Sequence, residues 1–147
     1  MTTKKTTAGF SILETIIALA VLAVIAAIGI PIGLDSYRSF ILDSEASNLL
    51  SILRRAEGNA FSNNYKKDYG VYLDPNNFVL FRGQSFLNRD QNFDENYART
   101  NAIGVNGLSE IVFSPISGLP NVTGTFTLSN GPSSRIISIN EQGTLLW

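Results

Sequence analysis

The stretch FSILETIIALAVLAVIAAIGIPIGL, residues 10–34, decides the architecture of this chain. From Thr15 to Leu34 it holds no charged residue, so a helix formed from it is apolar on every side. About 20 such residues is the length a helix needs to cross a hydrocarbon core of about 30 Å. One acid, Glu14, stands near the start of the run. A carboxylate at the centre of a membrane helix costs about 2.5–3.5 kcal/mol on insertion scales, which makes it a functional residue by default and calls for a cation beside it. If the chain is cut after Gly9, the new α-amino group of Phe10 appears four residues away and supplies that cation.

The flanks set an orientation. Lys4 and Lys5 precede the run, whereas Asp35, Arg38 and Asp43 follow it with no positive excess, so the amino terminus reads as cytoplasmic and the rest as external. The full chain carries 11 basic and 12 acidic residues, a net charge of −1, and losing the two leader lysines leaves −3. That balance gives no bulk attraction to nucleic acid. Cysteine is absent, so no disulfide staples the exported part, and absent histidine removes the commonest acid–base group and metal ligand. An ordinary signal peptide places its small-residue cleavage site after the apolar core. Here Ala8-Gly9 comes before it; a conventional site exists at Ala27-Ile28-Gly29, but it follows a long run and Pro31 comes close behind. An uncut signal anchor holding an outer domain is the remaining plain reading.

The helix is expected to continue beyond the membrane to Phe61. Ala46, Leu49, Leu50, Leu53, Ala56 and Ala60 recur at spacings of three and four and share a face, with Asp43, Glu45, Asn48, Ser51, Arg54 and Arg55 on the rest of the surface. Such a helix would be about 75 Å long at 1.5 Å per residue, far more than a bilayer needs, so its second half requires another partner. Pro31, between Gly29 and Gly33, predicts a helix kink where the two halves meet, because proline removes one backbone bond and crowds the carbonyl of Ala27.

After Phe61 the texture turns to short β-rich runs. Tyr69–Leu73 and Phe78–Phe81 flank the turn Asp74-Pro75-Asn76-Asn77; Glu110–Phe113, Gly124–Leu128, Arg135–Ile139 and Thr144–Trp147 follow, while residues 83–109 show no clear strand. The expected fold is α+β, a long transmembrane-plus-amphipathic helix packed on a carboxy-terminal antiparallel sheet, one face of which covers the helix.

Other motifs are slight. Asp90-Gln91-Asn92-Phe93-Asp94 has the alternating oxygens of a calcium loop, but Glu95 and Asn101 stand where that loop needs glycine and glutamate, so a solvated polar loop is the better reading. Asn121-Val122-Thr123 matches a glycosylation sequon. Arg54-Arg55 and Lys66-Lys67 are candidates for DNA phosphates, but Glu57 and Asp68 lie beside them and no basic stripe continues. Without Cys, His or a phosphate-binding glycine loop, and with dispersed carboxylates, the chain does not read as an enzyme.

A lysine-bearing leader ending in Gly9, then Phe10, then Glu14 as the fifth residue of the cut chain, then an unbroken apolar helix with Pro31, resembles the type IV prepilins and pseudopilins. The resemblance covers residues 4–34. It implies cleavage between Gly9 and Phe10 by a prepilin peptidase and N-methylation of Phe10. It further implies residence in the bacterial cytoplasmic (inner) membrane, then extraction by an assembly platform into a pilus or pseudopilus. In that filament Glu14 is expected to pair with the Phe10 amine of a neighbouring subunit, and the segment around Pro31 either kinks or unwinds. The implied division is a leader over 1–9, a helix over 10–61 (transmembrane 12–34, amphipathic 35–61) and a β-rich head over 62–147.

The head is similar to H-type minor pseudopilins of type II secretion and related minor pilins. Ile111-Val112-Phe113-Ser114 through Gly118, Gly124–Leu128, and Ile137–Asn140 with Gly143 carry that likeness, and a major pilin stays open. The chain departs from many pilins in lacking a disulfide, and from some filament formers in having Ala23 in place of a glycine. The function expected is therefore a structural subunit whose partners are other subunits, the peptidase, the platform and lipid, with no cofactor or metal. The competing readings are a membrane-tethered binding or adhesion module using Phe81, Phe86, Phe93 and Tyr97, and a minor pilin serving DNA uptake.

Overall fold

The computed structural model describes residues 9–131 and 133–147. The leader residues Lys4 and Lys5 lie outside the described residues. The chain divides into two compact units, residues up to Tyr37 and residues Arg38–Trp147, and one helix, α1 (Ile12–Phe61), contributes to both. The helix starts two residues later than the expected Phe10 and runs through Pro31 as continuous α-helix.

In the second unit α1 lies against eight short strands: β1 (Tyr69–Leu73), β2 (Asn77–Arg82), β3 (Glu95–Ala98), β4 (Gly104–Gly107), β5 (Glu110–Phe113), β6 (Gly124–Ser129), β7 (Ser134–Ile139) and β8 (Leu145–Leu146). They form two antiparallel four-stranded sheets, ordered β3-β2-β1-β5 and β4-β6-β7-β8. The fold is thus α+β as expected, with two sheets where the sequence suggested one.

The helix face that the sequence singled out is buried, and it is wider than the pattern indicated. Leu42, Ala46, Leu49, Leu53, Ala56 and Ala60 alternate steps of four and three, and Leu50 and Ile52 join them. Phe78, Leu80, Ile111 and Phe113 of the first sheet and Phe126, Leu128, Ile137 and Ile139 of the second complete one shared core. Two ion pairs flank it, Arg55 to Glu95 of β3 at 2.9 Å and Arg135 of β7 to Asp43 at 2.7 Å, each exposed enough to contribute at most about 1 kcal/mol.

The first sheet is covered on both faces, which explains why β2 and β5 are continuously apolar instead of alternating. Phe78 and Leu80 face the helix cluster, whereas Phe81 meets Phe86 edge-on at 5.7 Å and Phe86 stacks on Tyr72 at 3.8 Å. Gly70 makes room for this layer, since a Cβ there would lie 2.8 Å from one Phe81 ring carbon and 2.7 Å from the Ile111 carbonyl oxygen.

Two strands fall where none was expected, β3 and β4 within residues 83–109. Glu-Asn-Tyr-Ala and Gly-Val-Asn-Gly carry little strand propensity; each is an edge strand whose structure comes from pairing, Asn77↔Ala98 through Leu80↔Glu95 with β2 and Gly104↔Ser129 through Gly107↔Phe126 with β6.

The end of α1 is closed by the head. Asn63 adopts a left-handed conformation (φ 52°) and donates its N–H to the Ala60 carbonyl at 2.9 Å, which Ile116 N–H also reaches at 3.0 Å. Glu57 lies beside this junction, and burial raises its carboxyl above the ordinary 4.5 while Arg54 opposes the shift. A raised folded value means the burial cost is present in full above that value and is relieved as pH falls toward 4.5. Glu57→Gln is therefore expected to raise the melting temperature of the head at pH 7 and to match the parent at pH 4; calorimetry at the two pH values checks it.

Candidate functional site

The segment that carries the expected chemistry begins just outside the helix. Gly9 and Phe10 precede α1, a Cβ on Gly9 would meet nothing within 4 Å, and the Phe10 side chain is 84% exposed. Among the described residues nothing crowds the glycine of this pair.

Ser11 starts the helix. Its Oγ accepts the Glu14 N–H at 3.2 Å, and its carbonyl accepts both the N–H and the hydroxyl of Thr15 at 3.1 Å. Ser11 and Glu14 have the Ser-x-x-Glu spacing of a capping box, a signal present in the sequence that a reading centred on the charge of Glu14 passes over. A carboxylate in the first turn also complements the positive end of the helix dipole. Glu14 thus has a local reason to exist besides any partner. Among the described residues it makes no ion pair.

Beyond Glu14 the side chains form an apolar sleeve. Ile16, Ile17, Leu19, Leu22, Val24, Ile25, Ile28, Ile30 and Leu34 are each more than half exposed, and no residue of this apolar stretch is buried among the described residues. The Thr15 hydroxyl is satisfied inside the helix, so the sleeve presents little unbonded polar surface. Exposed apolar area on this scale requires a covering phase or partner. By length and composition the helix is sufficient to span a membrane.

The remaining candidates sit in the head. Asp90 and Asp94, the acids of the calcium-like loop, are bound by guanidinium groups, Asp90 to Arg82 at 2.7 Å and Asp94 to Arg89 at 2.8 Å. The hydrogen bond from Arg82 is the main reason the Asp90 carboxyl sits below its usual value. Arg55 is likewise engaged with Glu95 and with the Tyr97 hydroxyl at 2.8 Å, and burial raises that phenol. Of the four aromatics considered for adhesion, Phe81 is wholly buried, Phe86 packs on Tyr72, and Phe93 lies under Arg82 at 3.4 Å. Asn121 uses its side-chain oxygen to accept the Val112 N–H at 2.9 Å, so the sequon asparagine helps cover β5. Lys66 and Lys67 border a small cavity of about 260 Å³ with Gly83, Gln84 and Asn88.

These features define a class: one long, apolar amino-terminal helix packed through its second half on antiparallel sheet, a pilin-like architecture. No family model matches the chain, and no curated protein or solved structure matches it.

Proposed function

We propose that this protein is a structural subunit, a minor pilin or pseudopilin, of a type IV pilus-like filament or type II secretion pseudopilus. The observation that carries the reading is the bare apolar sleeve of α1 with a single carboxylate in its first turn, just after Gly9 and an exposed Phe10. A prepilin peptidase cuts the Gly9–Phe10 bond on the cytoplasmic side of the bacterial inner membrane, and Phe10 is N-methylated. The sleeve then holds the subunit in lipid until the assembly platform moves it into the filament, where lipid contacts are exchanged for neighbouring helices. Because lipid and packed side chains are similarly apolar, that exchange is driven by close packing and by charge satisfaction rather than by water exclusion. Glu14 meets the Phe10 amine of the next subunit and thereby sets the axial register. No catalytic step is assigned to the chain.

The test is intact-mass and amino-terminal fragment analysis of the membrane-embedded protein. The expected species begins at Phe10 and carries one added methyl group. A chain that retains Met1, or begins near Ile30, excludes the pairing and with it the filament role.

A further inference from the structure

A cleft of about 620 Å³ in the head lies along β4 and uses none of the residues discussed for assembly. Its walls are the β1–β2 turn at Pro75 and Asn76, Arg99, and all four residues of β4. Ile103, Val105 and Leu108 give it an apolar floor.

Two features of this cleft point to an occupant. The first is a strand edge. Among the described residues β4 pairs with β6 alone and is an end strand of its sheet, so its other edge has no strand partner there. The other sheet ends are blunted by different means. β3 carries Glu95 in an ion pair, β5 is capped by the Phe113–Pro120 bridge and by Asn121, and β8 has only two residues. Gly-Val-Asn-Gly has no charge and no proline, and three of its four residues are exposed, which leaves backbone groups of its outer edge available for pairing. Its four residues span about 13 Å at 3.3 Å per residue, enough for a short extended peptide.

The second feature is Arg99. Its terminal nitrogens donate to the carbonyls of Asp74 at 3.1 Å and Ile103 at 2.7 Å, and its guanidinium sits 5.7 Å from the Phe78 ring. Those bonds lock the side chain against the cleft wall, yet its buried Nε has no hydrogen-bond partner. Among the described residues no carboxylate forms an ion pair with Arg99. The nearby Glu45 carboxylate accepts the Thr100 N–H at 3.3 Å instead. Glu45 acts on Arg99 through charge but makes no direct ion pair with it, so a partly buried guanidinium beside a strand edge keeps room for an acceptor that arrives with an extended chain.

We propose that the β4 cleft is a docking site for an extended segment of a partner protein that carries an Asp or Glu. The segment adds as a fifth strand outside β4, with its carboxylate on the Arg99 guanidinium. This surface belongs to the head alone and holds whether or not the membrane reading does.

The test uses the full-length chain in lipid nanodiscs and a fluorescein-labelled hexapeptide, Thr-Val-Asp-Val-Thr-Val, read by fluorescence anisotropy. The expected result is saturable binding, about tenfold tighter than for the same peptide with Asn in place of Asp. N-methylation of alternate peptide amides is expected to reduce affinity by a similar factor, because it removes strand donors. Arg99→Gln, with its circular dichroism unchanged, is expected to bind the Asp and Asn probes equally. The proposal is overturned by equal affinity of the parent for the Asp and Asn probes, by undiminished binding of the N-methylated probe, or by no anisotropy change up to about 1 mM. The two probe comparisons are made on the parent protein, so they decide the matter even if Arg99→Gln fails to fold.

Discussion

Replacing Glu14 by Ala is expected to leave the chain in the membrane fraction, or to improve its insertion, while its incorporation into filaments falls by roughly a hundredfold or more. The insertion effect follows from removing a charge at the end of a membrane helix, where it costs less than the roughly 2.5–3.5 kcal/mol of a central position. Loss of incorporation follows from the proposed pairing, because deleting one member of a buried ion pair would strand the other, the amine of Phe10, at a cost of about 3–5 kcal/mol. The capping geometry at Ser11 offers a rival explanation, since Glu14 sits at the position whose side chain completes a capping box. Glu14→Gln separates the two. Glutamine keeps the capping capacity and removes the charge, so it should fail in assembly as alanine does. Quantifying both variants in sheared filament fractions and in membranes is the measurement. Normal incorporation of Glu14→Gln would reduce Glu14 to a helix-start residue and sink the pairing.

Leu53→Ala should destabilise the head by about 2–5 kcal/mol, the usual cost of removing a buried leucine. Leu53 is fully buried in the row of α1 that meets both sheets, and no disulfide holds the unit if that contact loosens. A small domain has only about 5–15 kcal/mol in hand, so much of its stability is at stake. The identical change at Leu22, which is exposed on the apolar sleeve, should leave the head unaffected. Amide hydrogen exchange of β1 and β6 in the full-length protein in detergent reads the effect directly. Exchange in Leu53→Ala should speed up by more than tenfold, and in Leu22→Ala it should stay at the parent rate. Equal exchange in the two variants would show that α1 is not part of the head's cooperative core.

Legibility in the sequence tracked the strength of local pattern. The amphipathic row from Ala46 to Ala60 was readable because helix periodicity repeats over many turns, and its extension to Leu42 and Ile52 was lost only because those positions sit at its margins. The Asp74-Pro75 hairpin was readable from turn chemistry, and the register Tyr69↔Arg82 through Leu73↔Phe78 follows from it. β3 and β4 were not readable, because edge strands take their conformation from a partner strand and need no apolar alternation of their own. Arg99 gave no signal either. Its importance rests on two carbonyls, those of Asp74 and Ile103, that only folding brings to it.

The primary structure alone determined the apolar rod, its lone acid, and the helical face that must find a cover, since each depends on residues a few positions apart. Tertiary structure decided that the cover is two sheets rather than one, that Arg82 and Arg89 occupy the carboxylates of the calcium-like loop, and that β4 ends its sheet with an open edge beside Arg99. Those outcomes turn on groups distant in the chain competing for the same neighbours, and no local pattern records which of them wins.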